Sequence, residues 1–136
     1  MEWSDALSIG IPEIDAQHRV FLGLLDRLRA VSGEPGANRN ELRLLLADLV
    51  TYAEHHFVDE EERMVAAGYP GAAAHAAVHD AAARRIHDLL IRDADEVELY
   101  RFLGAFLKAW LVNHIMGEDR AFGDWLAGAA PAERCA

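Results

Sequence analysis

Histidine and carboxylate side chains recur at helical spacing along this chain, at positions that otherwise carry apolar residues. His56 and Glu60 are four residues apart, and so are His75 and His79. Residues at positions i and i+4 of an α-helix differ by only about 40° around its axis, so both members of each pair point the same way. Each pair can therefore hold a cation from one face of a helix.

Three more ionisable residues, His18, His114 and Asp119, belong to the same pattern. A lone histidine on an apolar stripe is usually a hydrogen-bonded core residue, but five imidazoles and two carboxylates buried together would lack partners without a cation. His114 and Asp119 differ by about 140° on an ideal helix. That pair requires a distorted or ending helix, which Gly117 between them permits. The predicted metal ligands are therefore His18, His56, Glu60, His75, His79, His114 and Asp119.

The number of ligands indicates two metal ions, because seven protein ligands exceed the four of a tetrahedral zinc site. Imidazole together with carboxylate suits iron, manganese or zinc, and iron is favoured for redox or oxygen chemistry. Two carboxylates between two ions would act as bridges. His55 and His87 do not fit the pattern. We expect His55 to be exposed and His87 to be either exposed or a hydrogen-bonding neighbour of the ligands.

Four helices must position these side chains. Apolar residues at helical spacing predict them over about 12–32, 38–67, 72–90 and 95–115. Asn38 with Glu41 resembles a capping box, and Asp95 with Glu98 resembles a second helix start. Pro70 suits the first turn of the third helix. No segment alternates with period two, so strands are not expected.

These elements predict an all-α fold: an up-down-up-down four-helix bundle with an N-terminal extended arm and a short C-terminal helix. The length of 136 residues fits one domain over 1–136. Lys and Arg number 13 against 23 Asp and Glu, a net charge of −10 that disfavours nucleic acid and anionic membranes as partners. No signal peptide or membrane span is apparent. The single cysteine, Cys135, cannot form an intramolecular disulfide, so we expect a cytoplasmic protein.

The combined motifs resemble the hemerythrins, and specifically the bacterial single-domain hemerythrins. The similarity extends in one order from Trp3 to about Phe122, which makes the signature highly specific. The matching segments are Ile14–His18, His56–Glu61 with Met64, Gly68–Pro70, His75–His79, and Trp110–Ile115 with Asp119.

This resemblance implies a non-haem di-iron centre that binds dioxygen reversibly. Three histidines would ligate one iron: His75, His79 and His114. Two would ligate the second iron and leave it an open position for dioxygen: His18 and His56. Glu60 and Asp119, with an oxo or hydroxo group from solvent, would bridge the two irons.

Apolar side chains near the ligands would exclude water from the open iron. The residues expected to line this oxygen pocket are Leu22, Phe57, Trp110, Leu111 and Ile115. Three features depart from the family pattern. Phe21 and Leu22 place their bulk after His18 in a different order from many relatives. Ala82 stands where a large apolar residue is usual, which predicts a wider pocket or a route to it. Asp26 stands where asparagine is frequent.

The expected function is that of an oxygen carrier, store or local supplier, and not that of an enzyme. Dioxygen is the expected ligand, with an oxygen-consuming enzyme or a signalling protein as the recipient. An oxygen or redox sensor that acts through a separate partner is one alternative. A di-iron oxidase or peroxidase is another, although such enzymes usually carry more carboxylates in paired Glu-x-x-His motifs. Storage of iron or zinc is a third.

Overall fold

The computed structural model describes residues 3–91 and 96–128, and this part of the chain contains helices and no β-strand. The four long helices are α1 (Pro12–Ser32), α2 (Arg39–Ala67), α3 (Ala72–Leu90) and α4 (Glu96–His114). A single π-helical turn, Ile115–Asp119, joins α4 to the short helix α5, Arg120–Leu126. Helix α1 packs against α2 and α4, and α3 packs against the same two helices. The predicted four-helix bundle with a short C-terminal helix is confirmed.

Each long helix buries one stripe of side chains and exposes the opposite face to solvent. On α1 the buried stripe includes Ile14, Phe21 and Leu25, whereas Arg19 and Arg27 are exposed. This one-sided pattern is that of a bundle helix, not of a helix surrounded by lipid. None of the helices in the described ranges has the length and hydropathy needed to cross a membrane.

Helix α2 begins at the side chain predicted to cap it. Asn38 Oδ1 accepts hydrogen bonds from the backbone N–H groups of Asn40 and Glu41, at 2.9 and 3.1 Å. These bonds satisfy donors that have no partner inside the first helical turn. The Glu41 carboxylate instead accepts a hydrogen bond from Arg27 of α1 at 3.2 Å. One half of the predicted capping box is therefore present, and Glu41 links α2 to α1.

Helix α2 ends at Gly68, which has a φ of 72°. Glycine adopts this left-handed conformation without the steric cost that a Cβ atom imposes. The backbone N–H of the following residue, Tyr69, then donates to the Met64 carbonyl at 2.9 Å and closes the helix end.

Helix α3 begins at Ala72, so Pro70 is not the early helical residue that it was expected to be. The Ala72 N–H donates to the Tyr69 carbonyl at 3.2 Å, so Pro70 and Gly71 are the two central residues of a tight turn. Proline is favoured at the first of these positions because its φ is preset for it. The helix start predicted at Asp95 lies outside the described residues.

An N-terminal arm covers the end of the bundle. Its apolar residues Leu7 and Ile9 are buried. The Asp15 carboxylate of α1 accepts hydrogen bonds from Ser8 Oγ at 2.5 Å and from the Ile9 N–H at 2.9 Å. Asp15, which the sequence showed only as part of a motif, therefore fixes the arm to α1.

The departure at Asp26 has a structural reason. Asp26 pairs with Lys108 of α4 at 2.5 Å, and Lys108 is 8% exposed. A lysine at this depth requires a charged partner, since an unpaired buried charge is strongly unfavourable. An asparagine at position 26 would leave that charge uncompensated.

We expect the substitution Gly123→Ala to destabilise the protein by about 2 kcal/mol, the scale of forced overpacking in a closed interface. A Cβ atom at Gly123 of α5 would collide with the carbonyl oxygen of Ile9 in the arm. Gly23→Ala is the matched control, because nothing lies within 4 Å of a Cβ at that helical position. Since alanine favours helix over glycine, this control gains roughly 0.5–1 kcal/mol. Denaturant unfolding measures both changes, and a stabilised Gly123→Ala variant would contradict the close packing of α5 on the arm.

Candidate metal centre

The seven residues predicted as metal ligands converge in the interior of the bundle. Each is at most 3% exposed. Their nitrogen and oxygen atoms form two groups, and within each group the atoms lie within 4.8 Å of one another. One group contains Glu60, His75, His79, His114 and Asp119. The other contains His18, His56, Glu60 and Asp119.

The two i, i+4 pairs lie on regular helix, whereas His114 and Asp119 are joined by the π-helical turn Ile115–Asp119. A π-helix closes its hydrogen bonds between residues five apart, so residues at that spacing are brought to the same side. The helix distortion that the five-residue spacing requires is therefore present.

The Glu60 carboxylate lies between the two groups of histidines. Its Oε1 atom is 2.7 Å from His75 Nε2 and 3.2 Å from His79 Nε2. Its Oε2 atom is 3.2 Å from His56 Nε2 on the opposite side. One carboxylate thus presents a different oxygen to each group.

The Asp119 carboxylate is placed in the same way. Its Oδ1 atom is 2.9 Å from His75 Nε2, and its Oδ2 atom is 3.0 Å from His18 Nε2. Because Glu60 and Asp119 both belong to both groups, two cations held here would share two carboxylates.

A polar network outside this cluster orients the His56 ring. Gln17 Oε1 lies 2.7 Å from His56 Nδ1, and Gln17 Nε2 donates to Asp59 Oδ2 at 2.8 Å. Arg63 Nε donates to the same Asp59 oxygen at 3.0 Å. Burial alone would raise the pKa of Asp59, but the bonds from Gln17 and Arg63 outweigh it and lower that pKa. The ionised Asp59 can only accept, so it turns the Gln17 amide and leaves its carbonyl oxygen to accept from His56 Nδ1–H.

Carboxylates occupy the corresponding positions behind two other histidines. Glu61 Oε2 lies 3.0 Å from His79 Nδ1, and Glu118 Oε2 lies 3.5 Å from His114 Nδ1. A hydrogen-bonded partner such as Glu61 fixes the ring orientation and raises the basicity of a metal-ligating imidazole, whereas Glu118 lies near His114 Nδ1 without a hydrogen bond. The roles of Gln17, Glu61 and Glu118 were not predicted from the sequence. A signal existed only for Glu118, which is four residues after His114.

These outer hydrogen bonds determine which atoms face the centre of the cluster. A neutral His56 that donates through Nδ1 has a lone pair on Nε2, and the facing Glu60 Oε2 is also an acceptor. In the described part of the chain, five inward-facing atoms have no hydrogen-bond partner: His18 Nε2, His56 Nε2, Glu60 Oε2 and both Asp119 carboxylate oxygens. Acceptors that face one another without donors fit a site that holds cations.

Protons take the place of the cations when no metal is bound. Burial lowers the pKa of His18, His75 and His114, but the carboxylates of Asp119 and Glu60 outweigh it and raise these pKa values to about 9, 9 and 10. Burial likewise raises the pKa of each carboxyl, and the surrounding histidines reverse that effect and lower it. Metal binding must therefore displace protons from imidazoles.

We expect Gln17→Leu to weaken metal binding roughly 10- to 100-fold while the number of bound ions at saturation stays the same. The substitution removes the acceptor that orients His56, but it leaves all seven candidate ligands in place. Competition with a chromophoric chelator measures the affinity. Arg19→Gln serves as the control on α1, because Arg19 is exposed and lies over the Trp3 ring. Equal affinities in Gln17→Leu and wild type would show that the hydrogen bond has no effect on the ligand.

Aromatic rings pack face to face on two of the histidines. The Phe57 ring stacks on His79 with a centroid distance of 4.1 Å, and the Trp110 ring stacks on His114 at 4.7 Å. Both predicted pocket residues thus lie against the three-histidine group, and Phe57 also lies 5.9 Å from the His56 ring. The other predicted pocket residues, Leu22, Leu111 and Ile115, are buried in the core.

The remaining residues singled out by the sequence lie away from the cluster. His55 and His87 are exposed on α2 and α3. Ala82 is buried at 4% exposure. A cavity nearby is bordered by the neighbouring Ala83 instead. Cys135 lies outside the described residues.

Comparisons with known proteins show which family this chain resembles. A family model described as the hemerythrin HHE cation binding domain matches residues 9–126. Bacteriohemerythrin of Stenotrophomonas maltophilia is 36% identical over 122 residues, which cover 90% of this chain and 78% of the relative. Bacteriohemerythrin of Methylococcus capsulatus is 32% identical over 129 residues, which cover 93% and 97%.

A solved structure confirms the likeness at the level of the fold. The crystal structure of a wild-type hemerythrin aligns with a TM-score of 0.78 and 28% sequence identity, over 90% of this chain and 95% of that one. The family model spans all seven residues of the cluster. The chain therefore belongs to the hemerythrin family.

Proposed function

We propose that the seven clustered residues hold a di-iron centre and that the protein binds dioxygen there reversibly, as a carrier, store or local supplier and not as an enzyme. The observation that carries this proposal is the unequal division of the histidines. Three belong to one group and two to the other, while both groups share both carboxylates. A metal in the group with fewer protein ligands retains a position for an external ligand, as metal sites that bind small molecules do.

The donor chemistry supports iron. Five imidazoles disfavour magnesium and calcium, which take oxygen ligands, and imidazole mixed with carboxylate suits iron. A bound iron pair supplies the electrons that dioxygen binding requires. The protein's own contribution is to orient two of the imidazoles, through the contacts of Gln17 with His56 and of Glu61 with His79.

The packing around the cluster supports binding without further chemistry. Phe57 and Trp110 cover two histidine rings with apolar surface. Leu22, Leu111 and Ile115 are at most 2% exposed, so apolar side chains pack around the bundle interior. Walls of this kind exclude water and slow the loss of a bound ligand through proton transfer.

The proposal also includes one domain over residues 1–136 and a cytoplasmic location.

Oxygen titration of the reduced, iron-loaded protein tests the proposal. We expect an oxygen-dependent visible absorption band that saturates at one dioxygen per two irons and disappears under argon through repeated cycles. Irreversible oxidation on first exposure would exclude a carrier and favour an oxidase. Steady consumption of oxygen or peroxide with an added reductant would identify an enzyme. Reversible binding that changes the affinity for a copurifying protein would instead favour a sensor.

A further inference from the structure

A cavity of about 280 Å³ lies between α2 and α3, beside the metal centre. Its walls include Ala53 of α2 and Ala83 and Ile86 of α3, and its inner end reaches Phe57. Ala53 and Phe57 are four residues apart, and Ala83 and Ile86 are three apart, so each set lies on one face of its helix. The two faces meet with alanine on both sides. The space between them exists because neither helix supplies a side chain large enough to fill it.

The mouth of the cavity is polar, whereas its interior is apolar. Glu54 and His87 border it, and both are exposed. The inner walls are aliphatic and aromatic. Apolar protein cavities, such as one of about 150 Å³ lined by Leu, Ile and Phe, stay free of water and hold small apolar molecules, xenon among them. The chemistry of the interior therefore selects for an uncharged, apolar ligand of a few atoms.

One aromatic ring separates this cavity from the candidate ligands. Phe57 borders the cavity and stacks on the His79 ring, with a centroid distance of 4.1 Å and an angle of 11° between the planes. The same ring lies 5.9 Å from His56, which belongs to the group with two histidines. Rotation of the buried Phe57 ring would therefore open this cavity toward the metal cluster.

We infer that this cavity is a binding site for small apolar gases and the route by which dioxygen reaches the metal centre, with Phe57 as its inner gate. The inference rests on the proposed function for the identity of the gas. A second cavity, of about 180 Å³, lies beside His75 and is bordered by Glu118 and Tyr69. The cavity between α2 and α3 is favoured because it is larger and because Phe57 contacts both histidine groups.

A route has a kinetic signature that differs from that of a ligand contact. Obstruction of a path raises the barrier for entering and leaving by the same amount, so both rates fall together and the equilibrium constant is unchanged. A change in the site itself alters the equilibrium constant. Measurement of both rates therefore separates the two causes.

The test compares Ala83→Trp with Ala81→Trp. Ala83 is exposed at the rim, where an indole would close the cavity without entering the core. Ala81 is exposed on the same helix and is not part of the cavity wall. Ala81→Trp therefore makes the same chemical change, with the same effect on helix propensity, without touching the cavity. In the reduced, iron-loaded protein, we expect Ala83→Trp to slow oxygen association and dissociation by the same factor, about fivefold or more, with Kd unchanged within about twofold. Ala81→Trp should behave as wild type.

Crystals of the iron-loaded protein under xenon pressure test the cavity without any oxygen chemistry. Xenon should bind between Ala53 and Ala83 in wild type and in Ala81→Trp, and it should be absent in Ala83→Trp. Absence of xenon from the wild-type cavity would overturn the inference, and so would unchanged oxygen rates in Ala83→Trp or a change in only one of them. If the wild-type protein fails to release oxygen, the proposed function fails, and the xenon result still decides whether the gas site exists.

Discussion

The substitution Glu60→Gln should abolish binding of the metal pair, lowering iron from two ions per chain to fewer than one. Glutamine has the same shape as glutamate but lacks its charge, and its amide turns a donor toward one of the two histidine groups. Glu60 is fully buried and presents one oxygen to each group, so its loss affects both metal positions at once. Iron analysis of purified protein after reconstitution, normalised to protein concentration, gives the stoichiometry.

Three consecutive glutamates provide a graded control for this prediction. Glu61 contacts His79 from behind the ring, so Glu61→Gln should keep two irons but bind them roughly 10- to 100-fold more weakly. Glu62 is exposed, so Glu62→Gln should change nothing. The same chemical change at three adjacent positions thus yields three different results. Two irons in Glu60→Gln would refute the bridging role of this residue.

Removal of the metal should lower Tm by roughly 15 °C or more. A ligand at about 1,000 times its dissociation constant stabilises the folded state by about 4 kcal/mol, and 1 kcal/mol shifts Tm by roughly 4 °C in a domain of this size. The cost of removal is concentrated in the bundle interior, where protons alone remain to compensate the buried carboxylates of the cluster. Scanning calorimetry of the iron-loaded and chelator-treated proteins measures the difference.

The difference in Tm between the two forms should also widen as the pH rises from about 6.5 to about 9. In the metal-free protein, His18, His75 and His114 have pKa values raised from 6.5 to about 9, 9 and 10. The stability from their protonation is complete below pH 6.5 and is lost as the pH passes through these raised values. The metal-loaded form holds no protons on these histidines, so it does not lose this contribution to its stability as the pH rises. A difference that narrows across this range would mean that protons do not occupy the metal-free site.

The sequence singled out the residues of the cluster because they interrupt apolar stripes at fixed spacing. His56 with Glu60 and His75 with His79 needed only the geometry of a regular helix. His114 and Asp119 violated that geometry, and the violation itself predicted a distorted helix, which the structure supplies as a π-helical turn. The role of Pro70 was harder to predict, because proline suits both a first helical turn and a tight turn. The hydrogen bond between Ala72 and Tyr69 decides between them, and no local pattern reveals it.

The residues that contact the candidate ligands from outside the cluster could not be predicted from the sequence, for a different reason. Gln17 and Glu61 are polar residues among many polar residues, and each contacts a histidine on another helix. Their roles depend on how α1, α2 and α3 rotate against one another. A wider pocket, or a route to it, was expected at Ala82. The cavity between α2 and α3 is instead bordered by the next residue, Ala83. One residue corresponds to about 100° around a helix, which separates a buried position from a rim position.

The stack of Trp110 on His114 gives the protein an optical probe of its own metal content. The indole lies 4.7 Å from a candidate ligand ring, with 13° between the two planes. Iron has a partly filled d shell and can quench an excited indole at this range, whereas zinc has a closed shell and no redox chemistry. Trp3 and Trp125 pack instead on Arg19 and Tyr69. Fluorescence from Trp110 therefore distinguishes iron from zinc at the centre without any added label.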